Sequence, residues 1–92
     1  MLPPGALIQH TPQGLYCPAA DAWIDPWRPV PRALITHAHA DHARPGSQVY
    51  WAVGSAAGVL RQRLGQGIDL RAVAYGQELR LGDATVSFHS AG

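Results

Sequence analysis

The chain has little of several things, and each shortage closes off a class of protein. It has one cysteine in 92 residues, so no internal disulfide can form, which fits a reducing, cytoplasmic setting. No apolar stretch approaches the roughly 20 residues that span a bilayer. The start, Met1-Leu2-Pro3-Pro4, lacks the basic region and apolar core of a secretion signal. Charged residues make up only 14%, lysine is absent, and all seven basic residues are arginine. The net charge of +1 does not by itself demand a nucleic-acid partner. Arginine forks do suit bidentate phosphate contacts, although genome composition explains the missing lysine more simply. A chain this short builds one small domain and no second. Low charge with 47% hydrophobic residues predicts an apolar face or edge left open, and a tendency to associate.

Against that plain background, His37-Ala38-His39-Ala40-Asp41-His42 stands out. Three imidazoles and a carboxylate fall within six residues, and these side chains bind zinc-like metals. The preceding Ala33-Leu34-Ile35-Thr36 reads as a buried strand, so the cluster begins where strand gives way to loop. On extended backbone, residues two apart point the same way, so His37 and His39 can grip one ion. After a turn, Asp41 and His42 can reach a second, while Ala38 and Ala40 keep bulk away. Two ions about 3.5–4 Å apart lower the pKa of a shared water and clamp attacking and leaving oxygens. A polar, histidine-rich surface turn is the bland alternative.

The pattern His37-x-His39-x-Asp41-His42 resembles the metal motif of the metallo-β-lactamase superfamily. Longer strings narrow the likeness: Gly14-Leu15-Tyr16-Cys17-Pro18, Trp23 through Val30, and Ala33 through Ser47. They resemble the bacterial ligase-associated DNA exonucleases of the nucleic-acid-processing (β-CASP-like) branch, over most of residues 7–92. The resemblance implies an α+β fold, the N-terminal portion of an αββα sandwich, contributing mostly one β-sheet and one helix. It also implies two divalent ions, zinc first, with manganese or iron as alternatives. His37 and His39 would hold one ion and Asp41 and His42 the other, with Asp41 also catalytic. Asp25 alone reads equally as an ordinary Asp-Pro turn. The resemblance implies that it supports the metal loop from behind.

Arg44, two residues past the motif, is placed for a phosphate contact or for a local surface pair. The resemblance further implies phosphodiester hydrolysis of DNA ends in repair, coupled to a DNA ligase. Such enzymes carry a third metal-binding His after a Ser-Ala-Gly-like strand end. Here the sequence stops at Ser90-Ala91-Gly92, so residues 1–92 are expected to be the N-terminal piece of a nuclease domain, inactive by itself. Two rivals share the motif: a small-molecule metallo-hydrolase of the same superfamily, and a metal-binding fragment with no catalysis.

Local signals place the remaining elements. Strands are expected at 6–9, 14–17, 22–25, 33–36, 48–52, 71–75, 78–81 and 85–89. A helix is expected over 55–64, capped by Ser55 and stopped by Gly65, with Ala56, Val59, Leu60 and Leu64 inward and Arg61 and Arg63 outward. Pro26, Pro29 and Pro31 stiffen a connector. Cys17 reads as a small buried apolar residue. His10 and His89 read as exposed or structural. Trp27 beside Arg28 is a candidate stacking pair for a nucleotide.

Overall fold

A computed structural model describes residues 8–36 and 43–89. Within them the chain runs β1 (Gln9–Thr11), β2 (Gly14–Cys17), β3 (Ala22–Ile24), β4 (Arg32–Leu34), β5 (Val49–Val53), a 3-10 turn (Gly54–Ala56), α1 (Ala57–Leu64), β6 (Leu70–Val73), β7 (Leu79–Leu81) and β8 (Ala84–Val86). The first six strands form one sheet in sequence order, and β7 with β8 forms a separate two-stranded ribbon. β1, β2 and β3 pair antiparallel as a meander. From β3 onward every neighbour is parallel, through β4 and β5 to β6.

Strand alternation sorts the apolar residues onto two faces. Ala33, Ile35, Tyr50, Ala52 and Leu70 lie in one cluster with Ala57 and Leu60 of α1. Leu34, Trp51 and Val73 lie in the other, with Leu81 of the ribbon. The sheet is therefore covered on both sides, by a helix on one and a β-ribbon on the other. That is why Ala33-Leu34-Ile35 is buried without a break: a strand covered twice needs no polar face.

The αββα sandwich expected from the resemblance is not what these residues form. The described part is mostly β, with one eight-residue helix. Its second β-layer is a ribbon of two three-residue strands, and among the described residues no helix covers that ribbon. So short a ribbon is too small to act as the second sheet of a sandwich.

The helix also departs from expectation at its start. Ser55 lies in the 3-10 turn, and α1 begins after Ala56 with no side-chain cap. Its inner face is carried by Ala57 and Leu60, while Val59 is exposed. Arg61 is half-buried and its guanidinium donates to the Leu70 carbonyl at 3.5 Å. Gly65 ends the helix as expected, at φ 109°, its N–H donating to the Arg61 carbonyl at 2.8 Å.

Candidate functional site

The parallel strands all finish at one edge of the sheet, and a cavity of about 390 Å³ opens there. Ile24 ends β3, Leu34 ends β4 and Val53 ends β5, and these three side chains give the cavity its apolar wall. Tyr75, just past β6 and 54% exposed as a residue, lines it as well. The opposite wall is residues 86–89, the chain leaving the ribbon. The Gly76 N–H donates to the Phe88 carbonyl at 2.8 Å and fastens that wall to the exit of β6. The carboxyl edge of parallel strands is where open α/β sheets receive ligands, because the strands diverge and the loops part.

Thr36 lines the same cavity and is held by Asp25. The Thr36 N–H donates to Asp25 Oδ1 at 2.8 Å, and its hydroxyl donates to Oδ2. In return the Asp25 N–H donates to the Leu34 carbonyl at 2.8 Å. Asp25 adopts φ 46°, a left-handed conformation that Asp tolerates better than most residues. Of the two sequence readings of Asp25, the described residues show the turn before Pro26 and a carboxylate bonded to Thr36. The chain bends at Asp25, and the bend aims both carboxylate oxygens at the end of β4.

The residue after Thr36 is His37, but residues 37–42 lie outside the described part of the chain. The expected ligands His37, His39, Asp41 and His42 therefore all lie outside it. Among the described residues no group of three or more His, Cys, Asp or Glu gathers as a metal site. Arg44 is described and its side chain is exposed. What is fixed there is its backbone, whose carbonyl accepts the Tyr50 hydroxyl at 2.7 Å. The same hydroxyl accepts the Ser47 N–H at 3.0 Å, so a fully buried tyrosine anchors the return from the loop into β5.

Ser87 escaped the sequence reading, and so did its pairing with His89. Ser87 Oγ and His89 Nε2 lie 2.8 Å apart on the cavity wall, both residues being exposed. Their i, i+2 spacing on extended chain was the signal available. His89 is exposed, as expected, yet it also lines the cavity with Thr36. His10 is exposed on β1. Cys17 is half-buried against the ribbon-side cluster. Trp27 is half-exposed, and its indole N–H donates to the Pro12 carbonyl at 2.9 Å, which anchors the ring to the β1–β2 turn.

The charge pattern away from the cavity is local. Arg32 and Arg71 flank the buried Trp51 ring, with guanidinium carbons 5.6 and 5.4 Å from its centroid. Arg71 also pairs with Asp69 at 3.3 Å. The Tyr16 hydroxyl donates to Asp21 Oδ1 at 2.8 Å, and this bond to a carboxylate raises the phenol above its ordinary value near 10, with burial and the Asp21 charge adding to the shift.

No family model and no solved structure match the chain. Over 80 residues, 86% of its length, the chain is 34% identical to a protein of Opitutus terrae named "Probable DNA ligase". It spans 8% of the length of that curated relative. Among the described residues no helix is long and apolar enough to cross a membrane.

Proposed function

We propose that this chain carries part of the site of a metal-dependent nuclease acting on DNA ends. The observation that bears the most weight is the placing of the His37-x-His39-x-Asp41-His42 string. It follows directly on Thr36, the clamped residue at the carboxyl edge of the parallel strands. The likeness to a protein named as a probable DNA ligase supports a DNA-related role. It is also the setting in which a ligase-associated exonuclease would work.

The donor set, three imidazoles and one carboxylate, suits zinc, manganese or iron. His37 and His39 would hold one position, Asp41 and His42 a second. Two shells of about four ligands each need donors beyond these four. When bound, such ions supply positive charge that stabilises a phosphoryl transition state and makes water acidic. Asp25 keeps the start of the loop in place by holding Thr36 at two atoms. Arg44, exposed two residues past the motif, can pair with a backbone phosphate.

Calorimetric zinc titration tests the site. Zinc is expected to bind the wild-type chain, and His37→Ala is expected to weaken it at least tenfold. Unchanged affinity in that variant ends the assignment. Release of nucleotides from end-labelled duplex DNA by the natural protein, and its loss in Asp41→Ala, tests the chemistry. The cavity is small and mostly apolar, and this favours a second reading, a small-molecule hydrolase using the same ligands. Turnover of a thioester or lactam, with DNA left intact, would decide for it.

A further inference from the structure

We propose that the cavity at the carboxyl edge is a nucleobase pocket, a subsite that holds one base of the DNA beside the metal loop. The inference rests on the nuclease reading and names where its substrate sits. About 390 Å³ is near the lower end of the roughly 300–1,000 Å³ of small-ligand sites, room for one nucleoside and not for a length of polymer. Enzymes that grip a single base do so with apolar or aromatic walls and a few groups along one edge. Here Leu34, Val53 and Phe88 supply the walls, and the exposed Tyr75 supplies a stacking face. Ser87 and His89 supply the polar edge. A hydroxyl and an imidazole 2.8 Å apart can each donate or accept, so the pair can meet the amide-like edge of any base.

Two further features favour a base over a purely apolar guest. Among the described lining residues there is no carboxylate, and the nearest one behind the rim, Asp25, is engaged by Thr36. Thr36, on the rim, is the residue from which the proposed metal loop departs, so a base seated here keeps its own phosphate close to that loop. The pocket is also tied in shape, with Thr36 held by Asp25 on one side and the Phe88 carbonyl held by Gly76 on the other.

The test uses the whole chain with a chelator present and nucleosides that carry no phosphate. Thymidine and deoxyadenosine are titrated while the ring protons of Tyr75, Phe88 and His89 are followed by NMR. Saturable shifts confined to those rings are expected for both. Ser87→Ala should raise the dissociation constant about threefold to tenfold, as for one lost hydrogen bond. Val53→Trp, which fills the cavity, should abolish the shifts. Absence of saturable shifts, or equal shifts in Val53→Trp, overturns the pocket. So does saturation by decanoate with none by thymidine. Zinc titration of Val53→Trp keeps the two readings apart: a variant that binds zinc and no nucleoside fails in the pocket alone, whereas wild-type chain that binds nucleoside and no zinc leaves the pocket standing and removes the metal site. Far-ultraviolet circular dichroism and a cooperative thermal transition like those of the wild type show that each variant is folded.

Discussion

Asp25 does at a single position what its neighbours cannot do for themselves. Thr36 leaves the sheet after Ile35, whose N–H still donates to the Trp51 carbonyl at 2.9 Å, so the Thr36 N–H must find another acceptor. The carboxylate provides it, and a charged acceptor makes the bond stronger than a neutral one would. Asp25→Ala removes both bonds to Thr36 and keeps a left-handed residue that alanine dislikes. We expect a loss of about 1–3 kcal/mol, read from urea unfolding. Asp25→Asn keeps an oxygen for one of the two bonds and should cost less than half as much. Equal losses in the two variants would show that the clamp is not what matters. Tyr16 gives a second prediction at this scale. Its phenol is raised mainly by the bond to Asp21, so the folded state holds that proton more tightly than the unfolded chain does. The stability this contributes is fully present below pH about 10 and is lost as pH rises through the folded value. In a phenolate absorbance titration Asp21→Asn should bring that tyrosine back down toward 10.

Among the elements, the ribbon depends on a turn that only glycine can make. Gly82 sits at φ 55°, and a Cβ there would come 2.7 Å from the Ala19 carbonyl oxygen. The same oxygen accepts the Asp83 N–H at 2.7 Å, so the β7–β8 turn is seated on the backbone between β2 and β3. Gly82→Ala should cost about 1–3 kcal/mol and loosen the ribbon, seen as faster amide exchange in β7 and β8 than in β5. On the opposite face Leu60 is fully buried between α1 and the sheet. Leu60→Ala should cost about 2–5 kcal/mol and leave the ribbon-side cluster intact. The elements with the plainest local signals were the ones the sequence placed best. β2 matches its expected bounds, Gly14–Cys17, and α1 stops at Leu64 before Gly65. β1 starts at Gln9 where a strand at 6–9 was expected, because pairing with β2 fixes it, with Gln9 opposite Tyr16 and Thr11 opposite Gly14. β4 ends at Leu34, not Thr36, because Thr36 has turned to Asp25.

At the scale of the molecule, the six-stranded sheet has, among the described residues, an outer edge on β1 and another on β6. Unpaired edge groups invite a second copy, and low charge does little to prevent it. Ala72, exposed in the middle of β6, is a position where a charge should blunt that edge. Ala72→Lys should therefore lower the sedimentation coefficient at high protein concentration and leave it unchanged at high dilution. No difference at any concentration would mean that edge pairing does not occur. The cavity also belongs to this scale, since its walls come from three parallel strands, Tyr75 past β6, and the chain leaving the ribbon.

Local chemistry determined the identity of the chemical groups and the ends of several elements. The histidine and aspartate string, the glycine stops and the strand that leads to Thr36 are all properties of a few adjacent residues. Tertiary structure alone decided which faces are covered, since Ala33-Leu34-Ile35 looks the same whether a helix, a ribbon or a second sheet lies over it. It also decided that Asp25 meets Thr36 across eleven positions, and that Ser87 and His89 line a cavity with residues from β3, β4 and β5. Periodicity records how each side chain alternates along its own strand. It carries no information on which strands end side by side, and that is set by the pairing energy of the whole sheet.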